Sequence, residues 1–144
     1  MHNRKASEKD YGLILDLWER SVIVTHHFLA VDDRLKLKEE IPLYFPHLDV
    51  RLWYIEDRFI GFSGVHESHL EMLFLDPDLT GKGLGKQIIR SLIDDYGVTS
   101  VDVNKDNENA SWFYLKSGFT VVGEKPTDGE GRPYPILNLK LKSR

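Results

Sequence analysis

The sequence predicts an α/β fold, with one mixed sheet and helices on its faces. Between residues 50 and 75, short runs of aliphatic and aromatic residues separated by polar turns have the punctuation of a strand meander. An amphipathic helix follows, with Leu84, Ile88, Ile89, Leu92, Ile93 and Tyr96 on one face. Strand-like and helix-like segments then alternate to the C-terminus, and that order packs helices against a single sheet layer.

Each element has a local signal. A short strand at residues 4–6 leads into Ser7-Glu8-Lys9-Asp10, a helix start with an acid three residues after the cap. Leu13, Ile14, Leu17 and Trp18 then recur at helical spacing to about Val24. A second helix runs from Asp32 to Leu43 and is expected to stop near Pro42, since proline lacks the N–H that a helix interior uses. Strands are expected at 50–55, 59–65 and 69–75, with turns at Glu56-Asp57-Arg58 and His66-Glu67-Ser68. The amphipathic helix ends at Gly97. A strand at 98–103, a helix at 107–117 closed by Gly118, and a strand at 119–123 follow, and Asp128-Gly129-Glu130-Gly131 reads as a flexible connection to a last strand at 135–141.

Composition narrows the class. A chain of 144 residues fits one domain, 1–144, able to bury a core without disulfides or a structural metal. Cysteine is absent, which excludes a thiolate zinc site and a cysteine nucleophile. The N-terminus is polar and no stretch has the length of a membrane span, so the expectation is a soluble cytoplasmic protein without a membrane partner, as a monomer or homodimer. A formal net charge of -4 argues against nucleic acid as a partner.

The chemical signal is Thr80-Gly81-Lys82-Gly83-Leu84-Gly85-Lys86, placed between a strand with a proline turn and a helix. Glycines let successive backbone N–H groups converge on a phosphate, and the helix N-terminus adds partial positive charge, supplemented by Lys82 and Lys86. A P-loop would need glycine where Thr80 stands and a hydroxyl where Gln87 stands. A dinucleotide fingerprint would need a third glycine where Lys86 stands. A tight turn packed on the sheet also accounts for the glycines taken alone.

Two motifs together are more specific. Thr80 to Gly85 resembles the acyl-CoA loop of the GNAT superfamily, [RQ]-x-x-G-x-[GA], departing from it only at Thr80. About thirty residues on, Asn107-Glu108-Asn109-Ala110-Ser111-Trp112-Phe113-Tyr114-Leu115-Lys116-Ser117-Gly118-Phe119 is similar to the GNAT helix signature N-x-x-A-x-x-[FL]-Y-x-x-x-G-F at every fixed position. Trp18-Glu19-Arg20-Ser21, Thr25-His26-His27-Phe28-Leu29 and Gly131-Arg132-Pro133-Tyr134-Pro135 further resemble small bacterial members of the YjaB type.

The resemblance implies a mostly antiparallel sheet of about six to seven strands with about four helices. It also implies transfer of an acetyl group from acetyl-CoA to a primary amine of a small molecule or a peptide, with no metal. Backbone groups of Leu73, Phe74 and Leu75 would pair with pantetheine, and the amides of residues 81–86 would hold the pyrophosphate. Asn107 would contact the pantetheine arm, or cap its helix, or both. Tyr114 would be the general acid for the departing thiolate, against the alternative of a tyrosine that only packs. Glu71, mid-strand on the face expected to hold His69 and Leu73, is the candidate base, or else a solvated surface acid. His26, Phe28 and Tyr134 would line the acceptor pocket. The rival reading is a non-catalytic acyl-CoA-binding domain.

Overall fold

The computed structural model describes residues 1–142. Strands β1 (His2–Lys5), β2 (Asp49–Ile55), β3 (Arg58–His66) and β4 (His69–Leu75) lie side by side as antiparallel neighbours. Helices α1 (Tyr11–Thr25) and α2 (Val31–Tyr44) connect β1 to β2, and α3 (Leu84–Tyr96) connects β4 to β5 (Ser100–Asn104). Helix α4 (Glu108–Lys116) leads to β6 (Phe119–Lys125) and β7 (Ile136–Leu141). The sheet order is β1-β2-β3-β4-β5-β7-β6, and among the described residues the one parallel contact is β4 against β5. Seven strands and four helices match the expected α/β architecture.

Each face of the sheet buries its own core. On one face Ile88, Ile89, Leu92 and Ile93 of α3 pack on Trp53, Ile60, Leu70 and Val101. On the other, Ile14, Leu17, Trp18 and Val22 of α1 pack on Val50, Leu52 and Phe62. The indole N–H of Trp53 donates to Ser63 Oγ at 2.9 Å, so this buried polar pair is satisfied inside the sheet. At the start of α1, the carboxylate of Asp10 accepts from the Ser7 amide (2.9 Å) and from both terminal nitrogens of Arg4 (2.7 and 2.9 Å), tying β1 to the helix.

Several sequence expectations need correction. Helix α2 continues through Pro42 to Tyr44, because Ile41 (8% exposed) and Phe45 (3%) anchor its last turn in the core and outweigh the lost N–H. The strand expected from residue 98 begins at Ser100: Val98 instead completes the end of α3, donating its N–H to the Leu92 carbonyl (3.1 Å) after the left-handed Gly97. Asp128 to Gly131 is a bonded turn, in which Asp128 Oδ1 accepts from the amides of Glu130 (3.0 Å) and Arg132 (2.8 Å).

The feature that shapes the site lies in β4. Val65 pairs with Leu70 and Gly64 with Met72, so Glu71 has no partner on β3 and forms a bulge. The extra residue shifts the alternation: Leu70, Leu73 and Leu75 contribute to the α3 side, Met72 and Phe74 to the α1 side. Glu71 therefore opens with Met72 toward α1 and α2, and does not share a face with Leu73 as strict alternation would have it. Beyond the bulge β4 leaves β5; their pairing is confined to His69↔Ser100 and Leu70↔Val101, whereas β5 pairs along its length with β7.

Gly61 keeps β3 close to β4 at this point, since a Cβ there would lie 2.5 Å from the Phe74 carbonyl oxygen. Gly61→Ala is expected to lower stability by about 1–3 kcal/mol through overpacking. Urea unfolding measures it, and an unchanged midpoint would show that β4 can move away without loss.

Candidate active site

Where β4 and β5 part, a cleft of about 160 Å³ opens between them. One wall is residues 70–74 of β4, the other is residues 101–104 of β5 followed by Asn107, Ala110 and Tyr114 of the helix α4 region. The backbone of Leu73, Phe74 and Leu75 pairs with β3 on one side and, among the described residues, has no strand on the other, so its outer N–H and C=O groups are available to an extended ligand.

Tyr114 is buried (6% exposed) among Phe113 and Phe119, with both rings edge-on to it at 5.0 and 5.7 Å. Burial pushes its phenol well above the ordinary value near 10. Among the described residues its hydroxyl has no hydrogen-bond partner, and the residue lines the cleft. Asn107 caps α4, its Oδ1 accepting from the Ala110 amide at 3.2 Å. That use leaves the Nδ2 donor beside the same cleft, so the cap and the ligand contact are compatible.

The glycine loop lies at the far end of β4. Gly81 and Gly83 take left-handed conformations (φ 82° and 76°), and Gly83 precedes the first turn of α3 with no side chain capping it. The leading amides of α3 are therefore unpartnered donors. Gly85 sits against Leu75 and Phe113, where a Cβ would meet the Leu75 side chain at 3.0 Å, so the third glycine lets α3 approach both β4 and α4. Lys82 and Lys86 are exposed beside it. The Thr80 hydroxyl is turned back to the Pro77 carbonyl (3.2 Å), so it braces the turn.

On the other side of β4, Glu71 and His26 border the cleft. A wider groove of about 520 Å³ runs from Glu71 and Met72 past Ile41, Tyr44 and His47 to the Asp128 turn. Arg132 pins that turn on α2, donating to Glu40 at 2.9 Å and lying 3.6 Å from both Asp33 and Asp128. Tyr134 donates to Asp33, accepts from the Ala30 amide at 3.2 Å, and borders a cavity shared with His26, Glu71 and Phe74. Phe28 stands behind, its ring between His26 (5.2 Å) and Tyr134 (6.1 Å). It packs on two residues that border the pocket.

A model of the acetyltransferase (GNAT) domain family matches residues 26–134. The peptidyl-lysine N-acetyltransferase YjaB of Salmonella typhimurium is 34% identical over 94% of this chain and 94% of its own. The chain belongs to the GNAT acetyltransferase family. The solution structure of apo-form YjaB from Escherichia coli superposes with a TM-score of 0.86 at 31% identity, covering 99% of this chain and 98% of its own. The PaiA N-acetyltransferase of Thermoplasma acidophilum, crystallised in complex with coenzyme A, has the same fold (TM-score 0.70, 20% identity, covering 96% of this chain and 98% of its own).

This GNAT chain thus brings Glu71, Phe74, Asn107, Tyr114 and His26 to one cleft, with the glycine loop beyond it. Sequence reading missed Met72 and Asn104, which line the same space, because a methionine within a strand and an asparagine at a strand end have common structural uses. It also missed the pair at the vertex of the splay, where His69 lies 3.3 Å from Asp102 and 2.6 Å from Ser100 Oγ. Asp102 holds the His69 imidazole above its ordinary pKa, and His69 holds the Asp102 carboxyl below its own. Gly83→Val would force a β-branched side chain into a left-handed position. It is expected to weaken CoA binding about tenfold or more by distorting the amide cradle, a loss corresponding to about 1.4 kcal/mol. Calorimetric titration with CoA tests this, and wild-type affinity would remove the loop from the site.

Proposed function

We propose that this chain transfers the acetyl group of acetyl-CoA to a primary amine, specifically the side-chain amine of a peptidyl lysine. The observation that carries the reading is the arrangement along β4: a stretch left unpaired by β5 borders the cleft that Tyr114 lines, and the uncapped amides of α3 follow beyond its end. The relatives named as peptidyl-lysine N-acetyltransferases support the acceptor class. So does the groove, whose Glu40, Glu71, Asp128 and Glu130 outnumber Arg132 and favour a cationic side chain.

Each half of the donor meets a matching surface. The amides of residues 81–86, with Lys82 and Lys86, bind pyrophosphate by hydrogen bonds and helix charge. The backbone of Leu73, Phe74 and Leu75 pairs with the amide groups of pantetheine as an added strand would, and Asn107 Nδ2 donates to the same arm. The thioester then lies where β4 leaves β5, and an outward N–H near Phe74 meets the oxyanion.

The acceptor arrives as an ammonium, drawn to the acidic groove. Glu71 takes a proton from it through water and releases that proton to solvent. The free amine attacks the thioester carbon, forming the C–N bond while the carbonyl π electrons move to oxygen. The new nitrogen loses its second proton to solvent as the adduct collapses, the C–S bond breaks, and the sulfur takes the Tyr114 proton. Tyr114 recovers a proton from solvent, so one turnover yields amide, CoA thiol and one net proton.

Tyr114→Phe should lower turnover by about a hundredfold, the lower range for a positioned acid, with CoA affinity unchanged. Full turnover would leave Tyr114 a packing residue. Because burial raises the phenol, the acid form persists as pH rises, so wild-type turnover should show no falling limb from this group below about pH 10. Tight CoA binding without amine-dependent thiol release would identify a binding domain instead.

A further inference from the structure

His26 caps the C-terminus of α1, and its half-buried ring lies against Phe28 and, at 6.3 Å between centroids, against Phe74 of β4. It borders both the cleft that holds Tyr114 and the neighbouring cavity walled by Trp18, Met72 and Tyr134. Hydrogen bonding determines which of its nitrogens carries the proton. Thr25 Oγ1 donates to the Ser21 carbonyl at 2.8 Å. A hydroxyl has one proton, so the 2.7 Å contact between Thr25 Oγ1 and His26 Nδ1 runs the other way, with Nδ1–H donating.

The charged groups bordering the surrounding cavities are Glu71, Asp102, Asp128 and Arg34, yet it is burial that lowers the His26 pKa, to about 4. The ring is neutral at physiological pH, and with Nδ1 protonated, Nε2 is an acceptor with no proton. Among the described residues Nε2 has no hydrogen-bond partner, and it is not one of the side-chain atoms sealed from solvent without one. A bare acceptor on a ring that borders the Tyr114 cleft is matched by an N–H from the substrate.

We propose that His26 Nε2 accepts a hydrogen bond from the attacking amine and turns the nitrogen lone pair toward the thioester carbon, with Thr25 enforcing the required tautomer. The role rests on the acetyl-transfer reading above and differs from that of Glu71. A carboxylate attracts the ammonium and favours its charged form. A neutral imidazole holds the free amine without favouring its reprotonation. No proton moves to His26 in this role.

Nitrogen-15 NMR of the wild-type imidazoles at neutral pH tests the tautomer without any variant. The expected result for His26, one of six histidines, is a protonated Nδ1 and a bare Nε2, and the Nε2–H tautomer would overturn the proposal. Titrating a lysine peptide onto the CoA-bound protein should shift the Nε2 resonance, and no shift at saturation would overturn it. His26→Phe keeps the ring packing and should reduce kcat/KM for the peptide by about tenfold or more, as for a lost oriented hydrogen bond. KM for acetyl-CoA should stay unchanged, and His26→Gln, which restores an acceptor, should recover part of the loss. Active wild type with a full-rate His26→Phe variant would overturn this role alone. Wild type without amine-dependent thiol release would overturn the acetyl-transfer reading and this role with it.

Discussion

The site depends on two adjacent strands pairing for only two residues. Had β4 and β5 continued in register beyond Leu70 and Val101, the ladder would have satisfied every backbone group between them. The bulge at Glu71 turns β4 away, and β5 takes β7 as its full-length neighbour. What remains is a length of strand with hydrogen-bonding groups on one side and no strand to meet them. In most proteins such an edge is a liability. Here it borders a cleft whose other walls come from β5, the α4 region and the α1–α2 turn.

A splayed sheet stays open only if each arm is held independently. The β4 arm is clamped from both faces, with Leu73 and Leu75 in the core under α3 and Met72 and Phe74 in the core under α1. The β5 arm is carried by β7 and by Val101 and Val103 in the α3 core. The proposed acceptor side is assembled from more polar contacts, Arg132 with Glu40, Asp33 and Asp128, and Tyr134 with Asp33 and Ala30. Donor and acceptor sides thus rest on different physics: apolar burial for the shared chemistry, and charged loop-to-helix contacts where the acceptor would be recognised.

How much of this was legible depends on how local each feature is. The glycine loop, the Asn107 cap and Tyr114 lie within single motifs, and their placement follows from sequence spacing. The order of strands and helices was readable from periodicity and turns. The bulge was not, because strict alternation gave Glu71 a face that one extra residue takes away. Pro42 misled for a related reason: helix propensity is local, whereas Ile41 and Phe45 are held by distant partners. The His26 tautomer needs two hydrogen bonds made by one hydroxyl, which only the folded turn brings together.

The central claim is that the edge of β4 left by the splay is where the acetyl donor lies. Amide hydrogen exchange across β4, with and without saturating CoA, tests it most directly. The account predicts new protection at residues 73–75 and 81–86, with residues 50–55 of β2 unchanged. Protection confined to the loop, or appearing elsewhere while β4 exchanges as before, would contradict it.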